Sequence, residues 1–491
     1  MRTALGTVGC VQGAIKSWAD GRVGVGAAGG LRVLGPGRRG AAIVRASVDT
    51  APGQPAQPSI LAPGARSDMR RSVTDGCAWA VMMGFGDQFL PAFVLALHLG
   101  ERWAGLIATL PGFLGALLTL LTPWGVEKFG SHKRWTVLAA WLQALMFVPL
   151  VVAALVGSMP VWAAFAVVGL YQFGGLSAGV GWSTWIATIV PGDRRPAFFS
   201  FRNRMIWIFQ LIAIFTAGWV LEQFPGERAL MGFALVLSVA CVARGVSAVL
   251  LGRISEPVPL PHGHRTVGFV EVASRLGHGP EARLIVYLFL VAFATNISLG
   301  FLPPFVLGAL GEPKQNWALV MGAMMVGRIA ILFPLGGIIG RFGARGVMMA
   351  AGVGIALVHG LFLLTSQASE VLSHVPGVVG AHPRLVYVMG VQLIAGVLYA
   401  AFDLTSWLLL LRHTRESERT SMITLTWSCF WVFSFLGTLA GSGVISGFRV
   451  AGSEPTQFTY QGYMWVFAVG TGVRVLTLLP LLTWVRRLPR D

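Results

Sequence analysis

The chain contains twelve long apolar stretches separated by short polar connections. Each stretch has about 20 residues or more, the length an α-helix needs to cross about 30 Å of hydrocarbon. In lipid a helix satisfies all of its own backbone hydrogen bonds. The sequence therefore predicts an all-α polytopic membrane protein, with spans at residues 73–98, 103–122, 135–157, 160–190, 206–223, 229–252, 284–310, 316–339, 344–366, 385–411, 421–447 and 460–484.

The composition leaves lipid as the solvent for most of the chain. Hydrophobic residues make up 55% and charged residues 12% of the sequence, and the mean hydropathy is +0.70. A soluble protein carries about 25% charged residues, and the surface of a soluble globule cannot hide this much apolar area. These values exclude an ordinary soluble enzyme or binding domain.

The net charge of +17 is explained by loops that face anionic lipid headgroups, and not by nucleic acid. If the N-terminus is cytoplasmic, most Lys and Arg side chains fall on cytoplasmic loops. The opposite side holds only a few, at Arg102, Arg228, Lys314, Arg384 and Arg449. This asymmetry predicts that both termini are cytoplasmic. The expected location is a bacterial inner membrane, with an organelle envelope as the alternative.

Two segments lack spanning stretches. Residues 1–68 are rich in Gly, Ala, Pro and Arg and are predicted to be disordered. They represent either a mis-called start, with the true start at Met69, or an organelle transit segment. Residues 253–283 are polar and proline-rich, and they form the predicted cytoplasmic linker between an N-terminal bundle (69–252) and a C-terminal bundle (284–491).

A short basic turn occurs twice. The first copy ends in Glu127-Lys128-Phe129-Gly130, and the second contains Gly340-Arg341-Phe342-Gly343, about 213 residues later. Each copy lies between two apolar stretches at the same place in its half. Such a repeat predicts two pseudo-symmetric six-helix bundles, the usual architecture of a secondary transporter.

With this repeat and the even number of spans, residues 69–491 resemble the major facilitator superfamily. The superfamily signature between helices 2 and 3 is roughly Gly-x-x-x-Asp-Arg-x-Gly-Arg-Arg. This chain has Glu127 at the acid position of the first copy and Gly340 at that of the second. The resemblance implies a cytoplasmic gate that latches one half to the other, whereas simple headgroup anchoring is the alternative. The gate residues are Glu127, Lys128, Gly130, Lys133, Arg134, Gly336, Arg341, Gly343 and Arg345.

Five ionisable residues stand out within the apolar stretches, where charge is costly and usually functional: Asp87, Arg244, Arg328, Asp403 and Arg474. The resemblance implies that helices 1, 4, 7 and 10 line a central cavity, which singles out Asp87 and Asp403. Each Asp either carries a coupling proton, or is a permanent counter-ion of an arginine, or contacts substrate. Arg328 either binds an anionic substrate or pairs with Asp403. Arg244 and Arg474, on peripheral helices, are predicted to be structural charges.

Four uncharged polar residues are also predicted to line the cavity: Gln88, Gln172, Asn296 and Gln392. The glycines at Gly84 and Gly86 and the proline at Pro91 predict a bend in helix 1 beside Asp87. The alternative role for the polar residues is hydrogen bonding between helices.

These features predict a secondary transporter that moves a small organic solute, anionic or amphipathic, by alternating access with proton coupling. It is expected to act as a monomer in the lipid bilayer, without cofactor or metal. The alternatives are a transporter-like sensor or scaffold and a membrane-embedded enzyme. An enzyme would need convergent catalytic groups, and the sequence offers no catalytic residues of this kind.

Overall fold

The computed structural model describes residues 24–25, 31–32, 64–99, 107, 110–257, 280–312, 314–414, 418–448 and 458–487. Twelve membrane helices follow in order. They are α1 (Ala65–Ala96), α2 (Leu110–Thr119), α3 (His132–Val156), α4 (Val161–Ile189), α5 (Arg195–Glu222), α6 (Ala229–Gly252), α7 (Ala282–Ala309), α8 (Lys314–Leu332), α9 (344–373), α10 (Pro383–His413), α11 (Arg419–Ser446) and α12 (Tyr460–Thr483).

Each predicted span corresponds to one of these helices. Most are long and apolar enough to cross a membrane, and the two shorter apolar helices are α2 and α8. Outside the helices, the two-residue strands β1 (Gly24–Val25) and β2 (Leu31–Arg32) pair in antiparallel register. The remainder of residues 1–63, for which the sequence predicts disorder, and residues 258–279 of the predicted linker lie outside the described residues.

The helices pack in two sets with the same internal pattern. In the first half, α1 packs on α5 and α6, α4 packs on α2 and α3, and α3 packs on α6. In the second half, α7 packs on α11 and α12, α10 packs on α8 and α9, and α9 packs on α12. The two halves meet where α2 and α4 contact α11 and where α5 contacts α8.

The repeated turn has the same spacing in both halves, and in each it ends at a glycine with positive φ. After α2 ends at Thr119, a short helix (Thr122–Phe129) leads to Gly130 with φ of 62°. After α8 ends at Leu332, a short helix begins at Leu335 and leads to Gly343 with φ of 73°. Leu332, Leu335 and Gly343 follow their counterparts Thr119, Thr122 and Gly130 by the same number of residues. Glycine occupies the reversal because a side chain is strained at positive φ.

The predicted bend in the first helix is present. α1 is interrupted at Gly86, continues through a 3₁₀ turn at Asp87–Phe89, and resumes at Leu90 with Pro91 in its first turn. A side chain at Gly86 would come within 2.6 Å of the Phe147 ring. The glycine therefore lets α1 approach α3 closely at the break that carries Asp87.

Helix boundaries extend beyond the apolar stretches at the start of α5. The predicted span begins at residue 206, whereas the helix begins at Arg195, with Pro196 in its first turn. Proline is favourable there because the first backbone N–H groups of a helix have no intrahelical partner. Arg202, which the sequence places in a loop, is consequently a buried helix residue.

Candidate transport site

The crossing of α8 and α10 places an arginine beside an aspartate. A side chain at Gly327 would come within 2.1 Å of the Leu393 carbonyl oxygen, and one at Gly396 within 2.0 Å of the Met324 carbonyl oxygen. The two glycines therefore allow backbone contact between the helices. Arg328 follows Gly327, and its Nη1 lies 3.0 Å from Oδ2 of Asp403.

This ion pair lies between the two halves of the molecule. The Arg328 guanidinium is 4.6 Å from the ring centre of Trp207 on α5, which belongs to the first half, and 5.8 Å from that of Tyr399. The side chain of Asp403 is 58% exposed and that of Arg328 is 14% exposed. The carboxylate therefore faces open space, while the guanidinium is held among aromatic rings.

Within the described chain, the other predicted cavity residues form no hydrogen bond or ion pair with Arg328 or Asp403. Asp87 accepts a hydrogen bond from Nε2 of Gln172 at 3.2 Å, a contact between α1 and α4 within the first half. Asn296 donates to the carbonyl of Ala292 on its own helix. Gln88 is exposed, and Gln392 is buried. Within the described chain, Asp87 and Asp403 form no hydrogen bond with each other.

A buried charge network lies in the first half, and Arg244 is the only one of its four members that the sequence interpretation singled out. Nη2 of Arg202 lies 3.6 Å from Oδ2 of Asp75. Ser247 donates to Oδ1 of Asp75 at 2.6 Å, and Nη1 of Arg244 donates to Ser247 Oγ at 2.8 Å. Asp75 lies near the start of the first predicted span (73–98), and its presence inside an apolar stretch was the available signal.

Aromatic side chains close the molecule at the end where α4 and α10 terminate. Trp182 of α4 stacks on Trp407 of α10, with ring centres 6.4 Å apart, and Phe199 of α5 meets Trp407 edge-on. The Arg202 guanidinium lies 4.0 Å from the centre of the Trp182 ring. We call Trp182, Phe199 and Trp407 the aromatic seal. The seal joins the two halves of the molecule at this end.

Comparison with known proteins identifies the family. Residues 76–438, well over half of the chain, match the family model described as Major Facilitator Superfamily. The chain is a member of the major facilitator superfamily. A comparison with curated protein sequences found no significant match.

Solved structures share the fold at low sequence identity. A bacterial homologue of the iron transporter ferroportin, in an outward-facing state, aligns with a TM-score of 0.64 and 13% identity, over 86% of this chain and 100% of that chain. The E. coli fucose:proton symporter aligns with a TM-score of 0.60 and 16% identity, over 84% and 99%. The proton:xylose symporter XylE aligns with a TM-score of 0.62 and 14% identity, over 87% and 96%.

The family match confirms the predicted fold class, two six-helix bundles of a multi-pass membrane protein. It also makes the chain a transporter of small molecules and not an enzyme. No group of three His, Cys, Asp or Glu side chains in the described residues is arranged to hold a metal ion.

The first superfamily signature loop is held by a carboxylate from outside the signature. Oε2 of Glu256 lies 2.5 Å from Ser131 Oγ, and its Oε1 accepts from the Lys133 backbone N–H at 3.2 Å. Ser131 also caps α3 by accepting from the Arg134 N–H. Glu127 is exposed, and its side chain has no hydrogen bond or ion pair within the described chain. The carboxylate that contacts this loop is therefore that of Glu256, a few residues beyond the end of α6 at Gly252.

The remaining gate residues lie at the same end of the molecule. The Lys128 ammonium lies 4.8 Å from the centre of the Trp124 ring. In the second copy, Nη1 of Arg345 donates to the Arg486 carbonyl at 3.0 Å, and Arg341 lies over the Phe342 ring. A side chain at Gly336 would come within 3.2 Å of Ala197 Cα on α5. Gly336 thus permits close contact between the two halves, whereas the gating role of this set stays a prediction.

Proposed function

We propose that the protein is a proton-coupled secondary transporter that moves a small organic anion by alternating access. The observation that carries this proposal is the Arg328–Asp403 ion pair, which lies between the halves with its carboxylate open to the cleft. Ion pairs inside a membrane protein are costly to maintain and commonly mark the path of a substrate or proton.

The ion pair provides a simple exchange of partners. While Asp403 is ionised, it occupies the guanidinium of Arg328. A proton on Asp403 removes that negative charge, so the arginine becomes available to a substrate carboxylate, which it can bind through two parallel N–H groups. The ring of Trp207 then offers a flat apolar face to the remainder of the solute. Proton and anion therefore bind together.

The aromatic seal supports the alternating-access part of the proposal. The distribution of Lys and Arg favours cytoplasmic termini. We therefore infer that the seal lies on the cytoplasmic side and that the cleft opens outward in this state. We place the protein in a bacterial inner membrane, as a monomer.

Transport in proteoliposomes tests the proposal. Purified protein is reconstituted with trapped pyranine, and labelled organic anions, L-fucose, D-xylose and nucleosides are supplied with and without an inward proton gradient. We expect one of the organic anions to accumulate with the gradient and to acidify the lumen. Asp403→Asn should abolish accumulation but keep counterflow, because the neutral amide mimics the protonated acid, and Arg328→Gln should abolish both.

Glu370→Gln serves as the matched control, since Glu370 is an exposed carboxylate on α9, and it should transport like the wild type. Accumulation that survives Asp403→Asn unchanged would contradict the coupling role of this carboxylate. The assignment of an anionic substrate would be contradicted if a neutral solute were transported saturably and the Arg328→Gln variant transported it at the same rate.

A further inference from the structure

The second half of the molecule contains a buried arginine whose charge has no counter-ion. Arg474 on α12 is 1% exposed. Its Nη2 donates to the Thr295 carbonyl at 2.9 Å and to Ser298 Oγ at 2.7 Å, both on α7. Nε and Nη1 have no hydrogen-bond partner in the described chain, and no carboxylate there forms an ion pair with this guanidinium.

The matching arginine of the first half is compensated. Arg244 on α6 reaches Asp75 through Ser247, and Arg202 pairs with the same carboxylate. Helix α1 thus supplies a negative charge to α6. Its counterpart α7 presents only the neutral groups of Thr295 and Ser298 to α12. The two arginines thus occupy matching positions in the two halves, but the described chain supplies a counter-ion only to Arg244.

Further unsatisfied polar groups surround Arg474. His359 on α9 is 1% exposed, and neither of its ring nitrogens has a partner. The hydroxyl of Thr471 is also buried without a partner, and the buried hydroxyls of Thr295 and Tyr399 lie close to each other.

Several contacts bring these groups to one place. The rings of His359 and Tyr399 have centres 6.0 Å apart, and Thr471 lies against Gly360, next to His359. Arg474 is close enough to act electrostatically on both rings. Four helices, α7, α9, α10 and α12, therefore contribute buried polar groups to one region around the Arg474 guanidinium.

We propose that this cluster binds a halide-sized monovalent anion, chloride under cellular conditions. Nε and Nη1 of Arg474 donate to the anion, and the His359 ring N–H and the neighbouring hydroxyls complete its coordination. A buried charge needs a partner in a medium of low dielectric constant, and buried polar groups are normally hydrogen-bonded. A bound anion provides the counter-charge for Arg474 and a hydrogen-bond acceptor for the buried N–H and O–H groups. An organic solute is too large for groups that are almost completely enclosed.

This site differs from the transport cleft, although Tyr399 borders both. Arg328 pairs there with an exposed carboxylate, whereas Arg474 is enclosed by helices of a single half. The bound anion is a structural counter-ion that takes the place of a missing acidic residue.

Thermal unfolding of the purified full-length protein in detergent tests the site. Chloride or bromide is titrated against gluconate at constant ionic strength. We expect a saturable rise in Tm of about 3 °C with either halide, since a ligand of the native state stabilises by mass action. Arg474→Gln should abolish the response, and Arg244→Gln, the matched control, should keep it.

A gain-of-charge variant examines the same idea from the other direction. Thr295→Asp replaces a side chain of similar volume and supplies a carboxylate beside Arg474. We expect it to unfold at the same Tm in chloride and in gluconate. Thr295→Val, which adds no charge, should retain the halide response.

Two results would overturn the proposal. One is a wild-type Tm that is equal in halide and gluconate, and the other is a halide response that persists in Arg474→Gln. If the variants fail to fold, anomalous diffraction from bromide-soaked wild-type crystals decides. A bromide peak in contact with Arg474 supports the site, whereas the absence of an anomalous peak at that position refutes it.

Discussion

At the scale of single residues, Arg202 connects two features of the molecule. It pairs with Asp75 inside the first bundle, donates to the Ser72 carbonyl at 3.1 Å, and lies over Trp182 of the aromatic seal. A buried ion pair adds little net stability, but removal of one partner leaves the other charge buried without compensation. The stability of the first bundle therefore depends on the presence of both Arg202 and Asp75. The same arginine also packs against Trp182 of the aromatic seal.

Arg202→Met should destabilise the protein by about 3 kcal/mol, because Asp75 loses its ion-pair partner. Arg194→Gln is the control, since the Arg194–Asp193 contact is a 4.0 Å pair at the surface and such pairs contribute about 0.5 kcal/mol or less. Thermal unfolding in detergent measures both. Equal Tm losses in the two variants would show that the buried pair is not important for stability.

At the scale of helices, glycine decides which pairs approach most closely. Gly327 and Gly396 bring α8 and α10 into backbone contact, and Gly437 and Gly441 do the same for α11 against α7. Without a hydrophobic effect between helices in lipid, such close packing is a main source of association. In the second half, glycine contacts therefore fix the crossing that positions the transport ion pair.

Gly396→Ala should cost about 1–3 kcal/mol, because the new methyl group overlaps the Met324 carbonyl and forces α8 and α10 apart. Gly390→Ala on the same helix meets no atom within 4 Å, and its effect should stay within about 1 kcal/mol and be stabilising. The unfolding midpoints of the two variants provide the comparison. A Gly396→Ala protein as stable as Gly390→Ala would contradict the proposed role of the close crossing.

At the scale of the whole molecule, the aromatic seal holds the two halves together at one end. Trp407 belongs to the second half, and its two ring partners, Trp182 and Phe199, belong to the first. Ser428 of α11 adds a hydrogen bond to the Ala116 carbonyl of α2 at 2.8 Å. Opening at this end must break these contacts, so they set part of the energy difference between the two states.

Trp407→Ala should shift the protein toward the state that is open at the seal. Each aromatic pair contributes about 1 kcal/mol, and loss of two pairs changes the population about tenfold or more. A Thr184→Cys reporter, in a variant without native cysteines, should react with maleimide about tenfold faster, because Thr184 is buried beside Thr420 of the other half. Trp219→Ala, at a side chain that is 62% exposed, should leave the labelling rate unchanged.

The sequence predicted the fold well because its signals are long and repeated. Apolar stretches locate all twelve helices, and Gly130 and Gly343 occupy the repeated reversal as expected. The site was predicted only in part. The pairing of Arg328 with Asp403 was one of two roles expected for Arg328. The rise per residue of a helix allowed the depth of each residue in the membrane to be estimated, and both depths were near the midplane. Arg202 was missed because α5 begins before its apolar stretch does. Glu256 was missed because its contact joins two segments that are far apart in the sequence. Neither feature leaves a local pattern in the sequence.

The equal spacing of Thr119, Thr122 and Gly130 with Leu332, Leu335 and Gly343 restricts how such a gene can change. One inserted or deleted codon inside either stretch rotates the following helix by about 100° and turns part of its buried face toward lipid. Codon number is therefore under tighter constraint here than codon identity. The two copies differ at most side chains of the turn, yet they remain in step.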